Sequence, residues 1–214
     1  RGITAKCDAC NVTEFKWDHR NRLVQVSENS GTTTSDFHYR YNAADQLVYR
    51  RSESVTHPIP PGYDPVTSEK HYIFSGDQRV LDVADNGKVR HRFLWGPGVD
   101  QLLVDEVYGG SGTQVTEALW AATDHLGSVG QLVEPDGNVY EHREYVSFGA
   151  LDAVYDETGS ATSGGPIGVP NRPRSHITHA GSILDVDTEL YNKRARWYDA
   201  DTNRFLGEDP AADG

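Results

Sequence analysis

The chain has 214 residues, of which 36% are hydrophobic, and its formal net charge at pH 7 is −12. With a mean hydropathy of −0.62, this length indicates one substantial core beneath a largely polar surface. The acidic balance argues against a nucleic-acid partner, which needs clustered lysine and arginine, and no apolar run approaches the roughly 20 residues that span a bilayer.

The N-terminal segment, residues 1–14, is predicted to be a strand or a frayed end. It lacks the shape of a signal peptide, and because the sequence contains no methionine we expect it to be a piece of a longer protein. Cys7 and Cys10 form a Cys-x₂-Cys pair, but no second cysteine pair or histidine cluster accompanies them. Zinc is therefore disfavoured, while a local disulfide and two free thiols both stay open.

A short pattern, aromatic-x-aromatic-Asp/Asn-x₄-Leu-Val, occurs twice in the next part of the chain. The first copy contains Trp17 and Asp18, and the second contains Tyr41 and Asn42. Each copy predicts a β-hairpin, in which the aromatic residues form one strand, Asp or Asn opens the turn, and Leu-Val begins the return strand. Because a lone hairpin cannot bury its apolar face, successive hairpins are expected to stack side by side into one long sheet.

Hairpin signals continue throughout residues 15–107, which we predict to be repeat hairpins. A proline-rich stretch at 57–65 interrupts them and must be a loop. The strongest turn signal is Asp85-Asn86-Gly87, since Asn-Gly accepts the positive φ values of a type I′ turn.

The basic residues Arg50, Arg51 and 193–196 lie within strand-like segments. Long basic side chains can cover aromatic rings at such positions, so we predict cation–π packing there rather than a ligand site. The aromatic residues themselves are spaced as in strands, which favours cross-strand packing. A stacking platform for sugars is the alternative.

Residues 108–214 are predicted to form further hairpins, with a mobile Gly/Ser/Pro-rich loop near 156–174. Helical periodicity is hard to find, and we expect at most one short turn of helix near 190–194. The predicted fold class is therefore all-β, built from stacked antiparallel hairpins in a curved or spiralling sheet.

Two groups of residues could be taken for chemistry. Asp124 and His125 have the residue types of a catalytic dyad, but neighbours on a strand point to opposite faces, so a turn in which Asp124 binds backbone amides is favoured. Gly127 then takes a backbone conformation that other residues rarely adopt. His176 and His179 could bind a metal with Asp185 or Asp187, but a spacing of three suits a helix, which Gly181 would break. We predict no metal and no cofactor.

The repeats and the later phrases resemble the tyrosine-aspartate (YD) repeat proteins of the rearrangement hotspot (Rhs) and teneurin type. The later phrases follow in the order of the Rhs-associated core: Trp95-Gly96-Pro97-Gly98, Thr123-Asp124-His125-Leu126-Gly127, Tyr145-Val146-Ser147-Phe148-Gly149, Trp197-Tyr198-Asp199 and Glu208-Asp209-Pro210. The resemblance implies a spiralling sheet that closes as a hollow β-shell, with the core at its C-terminal end. The structural motif residues are Trp17, Asp18, Tyr41, Asn42, Asp124, His125, Gly127, Tyr198, Asp199, Asp209 and Pro210.

Asp209-Pro210 resembles the start of the Asp-Pro-x-Gly site at which some Rhs cores cleave themselves. Here Ala212 stands where glycine is expected, and the family's second Asp-Pro-x-Gly phrase is absent from the sequence. We assign no catalytic residue.

The expected function is that of a structural shell module in a large secreted or surface-exposed bacterial protein, enclosing a C-terminal toxin or effector. Its partners would be the flanking repeats and the toxin of the same parent chain, without membrane insertion, and an edge-to-edge homo-oligomer is a further option. One alternative is an adhesion or carbohydrate-binding module that takes a cell-surface glycan. A second is an aspartate-dependent self-processing domain, which needs two carboxylates close enough to share a proton.

Overall fold

The computed structural model describes residues 4–8, 11–58, 65–161 and 173–208, with side chains from residue 12 onward. Thirteen consecutive antiparallel strands form one open sheet in which each strand pairs with its sequence neighbours. They are β1 (Thr4–Asp8), β2 (Asn11–Trp17), β3 (Leu23–Asn29), β4 (Thr33–Tyr41), β5 (Leu47–Thr56), β6 (Val66–Ser75), β7 (Gln78–Ala84), β8 (Val89–Trp95), β9 (Leu102–Tyr108), β10 (Val115–Thr123), β11 (Val129–Val133), β12 (Val139–Tyr145) and β13 (Leu151–Asp156).

A second, four-stranded antiparallel sheet follows. It consists of β14 (Ile183–Asp185), β15 (Leu190–Lys193), β16 (Arg196–Asp199) and β17 (Arg204–Phe205). The described residues contain no α-helix, only short 3₁₀ turns at Ser147–Gly149 and His179–Gly181. The prediction of an all-β fold of stacked antiparallel hairpins is confirmed.

Many hairpins share one turn geometry. In the β2–β3 turn, Asn21 has a φ of 60° and donates its N–H to the Asp18 carbonyl, while the Asp18 N–H returns to the Arg22 carbonyl. This is the arrangement of a type I turn followed by a left-handed residue. The same backbone bonds close the turns that begin at Asn42, Ala84, Asp124, Glu134, Val146 and Asp156.

A one-residue bulge follows these turns and decides which side chains face the core. In the β2–β3 pair, Trp17 lies opposite Leu23 but Lys16 lies opposite Gln25, so that Val24 is the extra residue. The bulge restarts the alternation of side chains, and buried positions then recur at a spacing of three. The resulting buried pairs are Leu23 with Val26, Leu47 with Arg50, and Arg79 with Asp82.

The small sheet and the segment before it lie against one side of the large sheet, which we call the covered face. Leu190 and Trp197 pack with the buried residues Phe15, Phe37 and Tyr72 of the first half of the sheet. Ile177 packs with Phe93, Leu102, Leu119 and Leu132 of the second half. We call residues 173–208 the C-terminal segment, and it closes both cores.

Two local predictions are wrong. Leu190–Lys193 is a strand and not a turn of helix, because its backbone pairs with β14 on one side and β16 on the other. The turn at Asp85-Asn86-Gly87 is not of type I′, since Gly87 has a φ of 75° while Asn86 has no positive φ. A bulged turn needs only the one left-handed residue.

The predicted division between residues 107 and 108 falls inside the hydrogen-bonded sheet, where β9 pairs with β10 through Tyr108. The division of the chain into these domains stays a prediction. Cys10, most of the 57–65 loop, most of the 156–174 loop and residues 209–214 lie outside the described residues, as does the side chain of Cys7. Among the described residues, no helix is long and apolar enough to cross a membrane.

The turn geometry can be tested at Asn42, whose Oδ1 accepts the N–H groups of Ala44 and Gln46, both at 3.0 Å. We expect Asn42→Ala to lower the free energy of unfolding by about 1 to 2 kcal/mol, because two turn amides lose their acceptor. Asn42→Asp keeps that acceptor oxygen and should change stability much less. Urea unfolding of the three proteins checks the prediction, and equal losses in both variants would contradict it.

Candidate functional site

The covered face carries an unusual number of buried polar contacts, and Tyr41 is at the centre of one of them. Its hydroxyl donates to the Leu23 carbonyl at 2.7 Å and accepts the indole N–H of Trp197 at 2.7 Å. Tyr41 is therefore a motif residue that joins β4, β3 and the small sheet. Burial raises the pKa of the Tyr41 phenol, so this hydroxyl keeps its proton and its donor role.

Arg50 holds the C-terminal segment to the first half of the sheet. Its guanidinium binds Asp185 through two hydrogen bonds of 2.7 and 2.9 Å and Asp187 through one of 2.6 Å. Tyr39 donates its hydroxyl to Asp185 as well, at 2.8 Å. Burial opposes ionisation of Asp185, but the Arg50 charge outweighs it and holds the pKa of that carboxyl below its usual value.

Glu28 lies beside this cluster, and the pKa of its carboxyl group is shifted in the opposite direction. Burial raises its pKa to about 7, and the negative charges of Asp185, Glu189 and Asp187 add to the effect. The pKa values of the two carboxyl groups are thus shifted in opposite directions, since Arg50 stabilises the Asp185 anion and does not stabilise the Glu28 anion. Asp185 and Asp187 both bind the Arg50 cation, which is unlike the proton-sharing pair that an aspartate-type mechanism needs.

Arg143 holds the C-terminal segment to the second half of the sheet. It donates to the carbonyls of Ile177 at 2.7 Å and Ser175 at 3.0 Å, and it pairs with Glu141 at 2.6 Å. Glu141 also accepts the backbone N–H of Arg174 at 2.7 Å. Buried charges are thus arranged along the path by which the segment returns over the sheet.

The four residues considered for a metal site do not all meet: His176, Asp185 and Asp187 line one small cavity, and His179 is not among its lining residues. The ring of His176 faces that of His91, with 5.7 Å between centroids, whereas the ring of His179 lies near Tyr145 and Tyr191. Burial lowers the pKa of His176 well below its usual value, with help from the nearby Lys70. Within the described ranges, no group of three potential ligands is spaced for a metal ion.

Asp124 and His125 lie at the β10–β11 turn. The Asp124 carboxylate accepts the N–H groups of Leu126 and Ser128, each at 2.8 Å, while His125 is exposed. Burial opposes ionisation of Asp124, but these hydrogen bonds outweigh it and lower its pKa. The Gly127 carbonyl accepts the N–H of Gly181 at 3.1 Å, so the turn touches the C-terminal segment.

The remaining motif residues also have local partners. Asp18 accepts the N–H groups of Arg20 and Arg22, and Trp17 packs against the first core. Tyr198 donates its hydroxyl to the Phe148 carbonyl at 3.0 Å. Asp199 accepts N–H groups of residues 201 and 202 at 3.0 and 3.2 Å. Asp209 and Pro210 lie outside the described residues.

The basic side chains singled out in the sequence differ in their contacts. The Arg50 guanidinium lies 5.1 Å from the Phe37 ring, and that of Arg196 lies 3.7 Å from the Phe205 ring. Arg51 pairs with Glu53, and Arg194 pairs with Asp100. The ion pairs of Arg50 with Asp185 and Asp187 were missed, because strict alternation from Leu47 places Arg50 on the outer face. The bulge could have been predicted from the recurrent Leu-Val at the start of the return strands, because two adjacent apolar residues break strict alternation.

The Arg50 cluster predicts a large difference between two adjacent arginines. Arg50→Met should lower the free energy of unfolding by about 3 to 5 kcal/mol, because the buried Asp185 carboxylate and the partly buried Asp187 carboxylate lose their cation. Arg51→Met should cost less than about 1 kcal/mol, since the Arg51 side chain is 40% exposed. Chemical denaturation measures both, and comparable losses would contradict the assignment.

Glu28 predicts a pH-dependent effect. Because its folded-state pKa is raised to about 7, the stability linked to its protonation is complete below pH 4.5 and is lost as the pH rises through 7. Glu28→Gln should therefore raise the free energy of unfolding by roughly 2 kcal/mol at pH 8 and change it little at pH 4.5.

Unfolding at both pH values checks this, with the exposed Glu157→Gln as the matched control. The lowered pKa of His176 has the opposite effect, because it destabilises the folded protein as the pH falls below 6.5. This effect is common to all the proteins compared, so it cancels in the difference between them. A stabilisation by Glu28→Gln that is equal at both pH values would refute the role assigned to Glu28.

Comparison with known proteins finds similarity to segments of much longer proteins. The chain is 22% identical over 223 aligned positions to double-stranded DNA deaminase toxin A of Burkholderia cenocepacia (strain H111), covering 97% of this chain and 14% of that protein. No family model matches.

Crystal structures containing TcdB2-TccC3 match 93% of this chain and 9% of theirs. TcdB2-TccC3-TEV has a TM-score of 0.65 at 17% identity, and TcdB2-TccC3 without hypervariable C-terminal region has a TM-score of 0.64 at 17% identity. The chain thus spans a small part of each relative, and it shares the fold of a segment within the TcdB2-TccC3 chains.

Proposed function

We propose that this chain is a wall segment of a larger, secreted or surface-exposed bacterial protein of the Rhs type, and that the wall encloses a toxin or effector encoded further along the parent chain. One observation carries the proposal most directly. Among the described strands, β1 and β13 each have a neighbour on one side alone, while a matching fold occupies 9% of the TcdB2-TccC3 chains. Flanking repeats would continue the sheet at these edges.

The matching segment in TcdB2-TccC3 without hypervariable C-terminal region supports a wall rather than a cargo role. That segment keeps the same fold, at a TM-score of 0.64, when the variable region is absent. In this chain, the cations of the large sheet bind the carboxylates and carbonyls of the C-terminal segment. A wall of this kind keeps its fold through contacts within itself. The enclosed protein is then determined by another part of the parent chain.

Enclosure predicts that the downstream region of the parent resists proteases while this wall is closed. We expect limited proteolysis of the full-length parent to spare that region. In Arg50→Met and Arg143→Met parents, cleavage should be faster by about tenfold for each 1.4 kcal/mol by which the C-terminal segment is destabilised. Arg51→Met is the matched control and should resemble the unchanged protein.

Equal and rapid digestion of the downstream region in all four parents would refute enclosure. Because the wall itself could unfold in a variant, the fragments are assigned by mass, and the downstream region must be cut before the strands β2 to β12 for the result to count as opening.

We infer further that the wall has no catalytic role of its own. Intact mass spectrometry of the full-length parent and of an Asp209→Asn parent tests this separately. Each protein should keep its own intact mass over time. A fragment that forms in the unchanged parent and is absent from the Asp209→Asn parent would instead support aspartate-dependent self-processing.

A further inference from the structure

A cavity of about 280 Å³ lies where hairpin tips of the large sheet meet the small sheet. The tips are those of the β4–β5, β6–β7 and β8–β9 hairpins, and the opposite side is formed by 180–183 and by the β15–β16 turn. Phe74 and Trp95 are the aromatic residues of its lining. The Trp95 indole N–H is fixed by the Arg79 carbonyl at 2.8 Å. The cavity therefore has a rigid, partly apolar wall.

Lys193 brings a positive charge to this cavity. Its Nζ donates to the Ser182 hydroxyl at 2.8 Å and lies 5.4 Å from the centre of the Tyr198 ring. Within the described part of the chain, no carboxylate lies within 4.0 Å of Nζ. Burial lowers the pKa of Lys193, and Asp100 offsets this effect in part, but the Asp100 carboxylate is itself bound by Arg194 at 2.6 Å.

The carboxylates of the lining do not satisfy Lys193. Asp45 binds Arg20 and Arg22, each at 2.7 Å, and Asp77 lies exposed at its hairpin tip. A partly desolvated ammonium without an anionic partner costs free energy, which a bound anion would offset.

One residue of the cavity lining carries a buried donor without an acceptor. Asn192 lines the cavity and is 6% exposed. Its Nδ2 has no hydrogen-bond partner among the described residues. An ammonium without an anionic partner and an amide donor without an acceptor, beside an aromatic wall, favour a ligand that presents negative oxygen atoms on an apolar body.

We propose that this cavity binds a small organic carboxylate, with the carboxylate at Lys193 and the apolar body against Phe74 and Trp95. The shared chemistry is a carboxylate next to an aromatic or branched group, which either a free small molecule or the C-terminal end of a peptide can supply. The proposal does not depend on the enclosure of a toxin.

The test is a titration of the chain with N-acetylphenylalanine, followed by the NMR signal of the Trp95 indole N–H. We expect this signal to shift and saturate. N-acetylphenylalaninamide has the same body without the charge, and it should bind at least about tenfold more weakly, as the loss of one charge-assisted hydrogen bond implies. Equal binding of the acid and the amide would overturn the proposal.

Two variants locate the contact. Lys193→Gln should weaken binding of the acid by about tenfold and should not weaken that of the amide, whereas Lys88→Gln, at an exposed hairpin tip, should change neither. An affinity for the acid that is unchanged in Lys193→Gln would overturn the assignment. The remaining NMR signals of each variant report whether it is folded.

One longer ligand distinguishes the sources. A tripeptide ending in phenylalanine with a free carboxylate should bind if peptide ends are admitted, whereas binding of N-acetylphenylalanine alone would identify a small-molecule site. Both results uphold carboxylate recognition. If neither the acid nor the tripeptide shifts the Trp95 signal at millimolar concentration, the cavity is not a carboxylate site.

Discussion

The bulge that follows many of the hairpin turns is the constraint on which the rest of this structure depends. It restarts the alternation of side chains, so that the first and fourth residues of a return strand both reach the covered face. In β3 these are Leu23 and Val26, which build the core, and in β5 they are Leu47 and Arg50. A sheet with strict alternation would direct Arg50 to solvent. The bulge therefore supplies both the apolar layer and the buried cation that holds the C-terminal segment.

The same cations explain how a segment with only short strands stays in place. The four strands of the small sheet are each two to four residues long, too short to be stable alone. Their position is set instead by contacts with the large sheet, through Arg50 in its first half and Arg143 in its second. Removing one partner from such buried pairs is costly, so the segment and the sheet are expected to unfold together.

Much of the fold could be predicted from the sequence, because aromatic pairs, Asx residues and Leu-Val sequences directly encode hairpins and their order. The Asx turns at Asp18 and Asn42 follow from the same chemistry. The strand at Leu190–Lys193 could not be distinguished from a helical turn by such a short pattern. The contacts of Arg50 with Asp185 and Asp187 join residues about 135 positions apart, and local patterns hold no information about such pairs. The cavity at Lys193 depends on the same distant packing.

The arrangement of the small sheet also determines how it responds to mechanical force. β17 pairs with β16 alone, and just beyond it Gly207 lies against Trp17, whose ring would be 3.4 Å from a methyl group at that position. Tension on the chain beyond Glu208 would therefore load β17 first, then β16, then β15. Hydrogen bonds broken one after another resist less than bonds loaded together, so the segment would peel from its C-terminal side at low force. The Arg50 cluster would yield next, and the Arg143 contacts with Ser175 and Ile177 would yield last.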